Sequence, residues 1–336
     1  MKFGPVPVED CLGGIIAHAV RRDGLMLKKG TLVGAREHRQ LIDAGIGSVM
    51  IAHLEPGDIG EDEAASQLAQ ALAGAHIKVE APFTGRANLF AESAGLLVFD
   101  GATIDAINAP DERITVATLS ALKPVVEGEM VGTVKIIPFA LEAAALQSAL
   151  ARCGTGLKIA PFMPQRVAVI STLLPSLKPA TIEKTLRVTE DRLTPLGSSI
   201  VAQAQVAHET DALTRAILDL EQSADLLIIF GASAISDRLD VIPSAIMAAG
   251  GAVTQLGMPV DPGNLLLLGR TKAGGAVIGA PGCARSPREN GFDFVLQRLL
   301  AGLEVSAASI RAMGAGGLMM EIISRPQPRG GGGPNE

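Results

Sequence analysis

Four carboxylates, Glu209, Asp211, Asp237 and Asp240, bracket a turn of small residues, Gly231-Ala232-Ser233-Ala234, in a chain of 336 residues. The turn follows the apolar run Leu226 to Phe230 and leads to a helix start at Pro243; Gly231 lets the chain turn without a Cβ clash. A strand, a tight loop and a helix start in succession leave unpaired N–H groups and the positive end of a helix dipole at a sheet edge. That arrangement favours an anion, and phosphate is the one expected. Carboxylates beside bound phosphate usually hold Mg²⁺ between themselves and the phosphate oxygens, since like charges otherwise repel. Asp240, just ahead of the Pro243 helix, has a second reading as compensation for that helix's dipole, and for Asp211 capping is the favoured explanation. The full glycine pattern of a dinucleotide fingerprint and the Gly-Lys-Ser/Thr of a P-loop are both missing here.

Among the cations, Arg285 and Arg288 stand out because Arg285 and Ser286 sit in a loop opened by Pro281-Gly282 and leading towards a helix. Cys283 follows Pro281-Gly282 but has no histidine assigned beside it, so a nucleophilic role is disfavoured. His208 and Glu209 are neighbours in a strand, where adjacent side chains point to opposite faces, which argues against a catalytic couple. Two further cations are weighed: Lys135 inside the apolar TVKII run, and Arg86 in the Thr84-Gly85-Arg86 loop with Asn88 beside it; snorkelling and a solvated turn are the plainer readings.

These groups need elements to hold them. From Arg166 onward strands alternate with helices: VAVIST, Ala180 to Leu193, SSIVAQAQV, Asp211 to Leu220, LLIIF, Pro243 to Ala249, VTQLGM, LLLLG, AVIGA and Asp293 to Leu300. Alternation of this kind implies an α/β fold with a parallel sheet covered on both faces and chemistry beyond the strand ends. Three loops converge there: the residues after Val206, the Gly231 turn, and Ala280 to Phe292. Upstream, Val8 to Val20 has helical spacing, Arg36 to Ala44 reads as a short helix ended by Gly45, SVMIAHL is a strand, and Glu61 to Ala73 is a helix with acidic residues at its start. Between Ile77 and Leu141 short runs separated by Gly, Pro, Asp and Asn read as a mostly β region, and Glu142 to Leu150 as helix. The division expected is 1–54, a small N-terminal module; 55–163, an inserted mostly β domain; 164–305, the α/β domain; and 306–336, an apolar strand-like run, LMMEII, followed by a tail with the composition of a disordered linker.

Composition narrows the function. With 48% hydrophobic residues the chain can bury more than one core, and 38 glycines and 20 prolines suit many tight turns. No Trp and no Tyr, with a net charge of -6, argue against a nucleic-acid surface, although a local basic pocket for a small anion stays possible. No stretch is apolar enough for a membrane span and the N-terminus lacks a secretory pattern, so the expected location is cytoplasmic. Three widely spaced cysteines, Cys11, Cys153 and Cys283, without a CxxC, read as buried thiols.

Four segments in order, PQRVAVIST at 164–172, IIFGASAISDRLDVIPSAI, PVDPGNLLLLG at 259–269 and IGAPGCARSP at 278–287, resemble the molybdopterin-binding (MoaB/Mog-like) domain. Molybdopterin molybdenumtransferases of the gephyrin E-domain type and molybdopterin adenylyltransferases share that domain. The match covers Arg166 to about Leu303, and the module before residue 54 is similar to the one preceding this domain in molybdenumtransferases. The resemblance implies a three-layer parallel-sheet domain in which Gly231, Ala232, Ser233 and Ala234 cradle the ligand, with Pro281, Gly282 and Ser286 in a second loop and Cys283 replacing an Asn. It also implies that Asp240 and Glu209, the latter in place of an Asp, hold Mg²⁺ and serve catalysis, with Arg285 balancing developing charge. Departures are clear: STLLPSL stands where molybdenumtransferases read Ser-Thr-Gly-Asp-Glu-Leu, and Asp261-Pro262-Gly263-Asn264 where they read Lys-Pro-Gly-Lys.

The wording FGASAISDR and PGCARSPRENGFD resembles a subgroup often joined by a linker to a molybdopterin cytidylyltransferase, whose own Gly-rich signature is missing from this chain. The leading expectation is a protein of molybdenum cofactor biosynthesis that binds molybdopterin or its nucleotide form and assists metal insertion, from molybdate, or cofactor modification. A carrier serving a cytidylyltransferase is the non-catalytic alternative, and a generic nucleotide-binding α/β protein is the third. A homo-oligomer is expected.

Overall fold

A computed structural model describes residues 1–319 except 23, 176 and 177, and it contains two compact units, 1–161 and 162–336. The expected tail, and the LMMEII run beyond Met319, lie outside the described residues.

In the first unit, an antiparallel sheet of Lys2–Pro7, Ser48–His53 and Ile15–Ile16 packs with the helix Ala35–Asp43 around Val8, Cys11, Ile16, Leu41 and Ile51. The helix expected over Val8 to Val20 does not form. Only Val8–Asp10 turns, as a short 3-10 helix, because Gly13 adopts φ 78° and Gly14 lies so close against Ile51 that no side chain fits, after which the chain runs as strands. A second core surrounds the helix Glu61–Leu72, whose Ala64, Ala65, Leu68, Ala69 and Leu72 are buried at helical spacing. Against it lies the sheet ordered Ile114–Thr118, Met130–Ile136, Arg86–Ala91 and Ile77–Val79. The mostly β reading of this region missed the helix Gly101–Asn108, which Asp100 caps by accepting the Ala102 N–H at 3.0 Å and which buries Ile104 and Ile107.

In the second unit the sheet and its covering helices follow in chain order: β1 (Arg166–Leu173), α1 (Pro179–Leu193), β2 (Ser199–Ala207), α2 (Thr210–Leu220), β3 (Leu226–Phe230), α3 (Val241–Ala248), β4 (Ala252–Leu256), β5 (Leu267–Arg270), β6 (Ala276–Ala280) and α4 (Gly291–Leu300), with a short helix at Ala307–Arg311 after them. The sheet order is β2-β1-β3-β6-β5-β4. The sheet is not wholly parallel: β5 runs antiparallel to both β4 and β6. The physical reason is connection length, since the turn from Arg270 to Ala276 is too short for the crossover that parallel neighbours require.

Strand β3 explains the continuous apolar run in the sequence. Leu226, Ile228 and Phe230 pack with Leu193 of α1 and Phe292, Val295 and Leu296 of α4, while Leu227 and Ile229 pack on the other face with Leu213 and Ile217 of α2 and Ile242 and Ile246 of α3. Each such side chain contributes roughly 1.5–3 kcal/mol when buried. At the amino ends of the strands, the Asp225 carboxylate is held below its ordinary value of 3.8, first by the Arg166 side chain and then by the Arg166 N–H. A depressed folded value contributes stability that is complete above the unfolded value and is lost as pH falls through the folded one. Asp58, Asp111 and Asp240 shift the same way. The melting temperature should therefore hold steady above about pH 5 and fall below about pH 4. Thermal melts by circular dichroism between those values check this, and an unchanged midpoint down to pH 3 would contradict it.

Among the described residues no helix is long and apolar enough to cross a membrane.

Candidate functional site

Three strand ends meet the loops that matter. At the end of β1, Thr172 is fully buried, accepts the Ala232 N–H at 2.8 Å and lies 2.8 Å from His208 Nδ1. Thr172 Oγ1 and His208 Nδ1 share one hydrogen bond, whose direction follows the histidine tautomer. Thr172, near the end of β1, thus ties His208 after β2 and Ala232 after β3 into one cluster.

The Gly231 turn is tight. A Cβ on Gly231 would come within 2.5 Å of the Ser233 carbonyl oxygen and 3.0 Å of Ile242 Cδ1, so the position accepts no side chain. Ser233 and Ala234 are exposed, and their N–H groups have no hydrogen-bond partner among the described residues. The turn closes on Asp240, whose Oδ2 accepts from the N–H groups of Ser236 (2.6 Å) and Asp237 (2.9 Å) and from the Ser236 hydroxyl (3.2 Å). Those backbone donors hold the carboxyl below its usual range, with His208 adding a smaller effect of the same sign. Asp240 precedes α3 as its cap residue but makes no capping hydrogen bond; its carboxylate shapes the loop instead.

The second loop lies beside the first. Phe230 and Ala280 pair across β3 and β6, and the 3-10 turn Gly282–Arg285 follows Pro281, which is buried. Arg285 reaches back across the gap: Nη2 donates to the Gly231 carbonyl at 3.0 Å, Nη1 donates to the Thr185 hydroxyl at 2.7 Å, and the guanidinium lies 5.1 Å from the Phe230 ring centroid. Desolvation lowers its affinity for its proton, the expected effect on a cation held in apolar surroundings. Its donors to Gly231 and Thr185 make Arg285 a strut between the turns. Gly282 is exposed, and Ser286 is half-buried with its hydroxyl accepting from the Arg288 N–H at 3.4 Å.

Sequence reasoning missed Arg192, which anchors this loop. From the last turn of α1 its Nε donates to Asp293 Oδ1 at 2.6 Å, and its Nη atoms donate to the carbonyls of Ala284 (3.0 Å), Ser286 (2.7 Å) and Arg288 (3.2 Å). Asp293 in turn accepts the Asn290 N–H at 2.8 Å, part of a reciprocal cap on α4. Cys283 lies among these groups, and burial pushes its thiol up, away from a thiolate.

Glu209 is exposed at the cap position of α2, and its carboxylate makes no hydrogen bond among the described residues. No three His, Cys, Asp or Glu side chains gather as metal ligands among the described residues. Asp240 Oδ1 and the Glu209 carboxylate take part in no hydrogen bond among the described residues. In the first unit, Lys135 donates to the Thr84 carbonyl at 2.7 Å and lies 3.4 Å from Glu61, and Asn88 accepts from the Thr133 hydroxyl. Both serve the local fold.

No family model matches the chain, and no curated protein does. Among solved structures it is similar to a molybdopterin biosynthesis MoeA protein from Pyrococcus horikoshii, with 16% identity over 90% of this chain and 75% of that one, at a TM-score of 0.32. A molybdenum cofactor biosynthesis protein from Pyrococcus furiosus shows 11% identity over 90% and 64%, at 0.26. A protein described as a molybdenum cofactor biosynthesis protein from Corynebacterium diphtheriae shows 15% identity over 43% and 100%, at 0.27. At scores this low the likeness carries no weight for the chemistry.

Proposed function

We propose that this chain binds molybdopterin, a pyranopterin bearing a phosphate and dithiolene sulfurs, or its nucleotide form, and assists metal insertion or cofactor modification in molybdenum cofactor biosynthesis. The observation that supports this most is the Arg285 bond to the Gly231 carbonyl, which joins the two turns that carry the sequence resemblance at adjacent strand ends. Beside that strut, the exposed Ser233 and Ala234 N–H groups offer donors to a phosphate, and Thr172 fixes the start of the turn through Ala232. Asp240 and Glu209 would hold Mg²⁺, which when bound neutralises phosphate charge. A carrier reading is favoured by particular residues: Asp261-Pro262-Gly263-Asn264 lacks the two lysines of the transferase pattern, and two of the Arg285 N–H donors are engaged inside the protein.

The test is affinity for molybdopterin under anaerobic conditions with and without Mg²⁺, followed by turnover with molybdate and nucleotide. Tight Mg²⁺-dependent binding is expected; binding without turnover selects the carrier, and no binding of the pterin rejects the proposal. Asp240→Asn should reduce the Mg²⁺-dependent part of the affinity about 10-fold while leaving the fold intact, because the amide oxygen still accepts from Ser236 and Asp237. Equal affinities for the variant and the wild type in Mg²⁺ would remove Asp240 from the site.

A further inference from the structure

His208 follows β2 at the same sheet edge as the Gly231 turn, and two hydrogen bonds fix it there. Its N–H donates to the Leu173 carbonyl at 2.9 Å, and Nδ1 lies 2.8 Å from the hydroxyl of the fully buried Thr172, whose oxygen also accepts the Ala232 N–H. These contacts use one nitrogen of the ring. Nε2 makes no hydrogen bond among the described residues. The buried side-chain nitrogens and oxygens without a partner among those residues are His38 Nε2 and Ser93 Oγ, so His208 Nε2 meets solvent. The ring lies within electrostatic reach of Asp240, the residue that closes the turn. A side chain kept for the fold alone needs only the Nδ1 contact, which an asparagine supplies with less surface to bury. Here a second nitrogen is held in place and left open beside the turn.

We infer that His208 is a contact residue of the anion site, its Nε2–H donating to an oxygen of the bound phosphate. The inference rests on the reading of the Gly231 turn as a phosphate site, and it adds a side-chain donor to the free N–H groups of Ser233 and Ala234. The hydrogen bonds then close in one pattern. With its proton on Nε2 the ring accepts the Thr172 hydroxyl at Nδ1, and the Thr172 oxygen keeps a lone pair for the Ala232 N–H, so all three groups are satisfied together. A phosphate oxygen at Nε2 thus selects the tautomer in which Thr172 donates to the ring. Recognition of the anion and the shape of the turn are coupled through one hydroxyl. A free imidazole nitrogen can also serve a metal, but Mg²⁺ takes oxygen ligands, and no three His, Cys, Asp or Glu side chains gather for another ion among the described residues.

Two variants of the full chain separate the two nitrogens. His208→Asn keeps a polar group where Nδ1 lies and nothing where Nε2 lies, whereas His208→Gln reaches the outer position and gives up the Thr172 contact. Affinity for molybdopterin with Mg²⁺ under anaerobic conditions should fall about 10-fold in Asn, the effect of losing a hydrogen bond to a charged group, while hydrogen exchange at the Ala232 amide stays at the wild-type rate. Gln should bind more tightly than Asn. Imidazole ¹⁵N NMR of the wild type reads the contact itself, with inorganic phosphate as the probe at about pH 8, above the ordinary range of the ring. The Nε2 resonance should move during the titration, and Nδ1 should settle at the position of an accepting nitrogen. If the wild type binds molybdopterin and Asn binds it equally well, the inference is overturned and the phosphate reading stands. A moving Nε2 resonance without any binding of the pterin has the opposite meaning. An Nε2 resonance that stays fixed in tens of millimolar phosphate overturns the contact whatever the variants do, and the ring then serves only Thr172.

Discussion

Arg192→Ala should destabilise the second unit by about 3–5 kcal/mol, the usual cost of removing one member of a buried ion pair. The side chains of Arg192 and Asp293 are each only 10% exposed. Truncation leaves the Asp293 carboxylate in that environment without its cation, and it releases the carbonyls of Ala284, Ser286 and Arg288, which the guanidinium fork gathers from three points of one loop. The fork also lies 5.6 Å from the Phe292 ring centroid, so packing is lost with the charge. Urea unfolding should show a lower midpoint, and Arg192→Lys should recover only part of it, because an ammonium cannot reach the same carbonyls with a planar fork. Pairing Arg192→Met with Asp293→Asn should be milder than Arg192→Ala: no uncompensated carboxylate remains, and the Asn oxygen can still accept from the Asn290 N–H. A cost below about 1 kcal/mol for Arg192→Ala would mean that the loop is held by Arg285 and the α4 cap instead.

Why Arg192 was invisible in the sequence is a matter of distance along the chain. In TEDRL it looks like any arginine in the last turn of an amphipathic helix, and its partners lie ninety or more residues later. The Gly231 turn, by contrast, carries its information locally: an apolar run, a glycine that tolerates no Cβ and an Asp before a helix could be read without the fold. The strand and helix order after Arg166 was legible for the same reason, since Leu226 to Phe230 are apolar at every position because helices cover both faces of β3. The reversed direction of β5 was not, because a four-residue strand carries no orientation, and only the short turn after Arg270 limits it. Glycine misled the reading at Gly13-Gly14, where helical spacing of apolar residues concealed a pair that breaks the helix. At Arg285 the company of Pro281-Gly282 was legible in the sequence, while its reach to the Gly231 carbonyl, 54 residues away along the chain, was not.

Thr172→Val should cost about 1–3 kcal/mol although it changes shape little, because the loss is a hydroxyl that two groups depend on. The Ala232 N–H would face a methyl group in a site where Thr172 has no solvent exposure, and His208 Nδ1 would lose its hydrogen-bond partner. An amide without an acceptor relaxes by moving, and the Gly231 turn moves with it. The variant should therefore lose phosphate-ligand affinity by about 10-fold or more beyond what its stability change explains. Thr172→Ser keeps the oxygen and should keep the affinity, with only the smaller penalty of a missing methyl group. Hydrogen exchange at the Ala232 amide gives a readout independent of any ligand: protection should vanish in Val and persist in Ser. Equal protection in all three proteins would show that the turn holds its shape through Gly231 packing alone, and would leave Thr172 as an ordinary buried residue at a strand end.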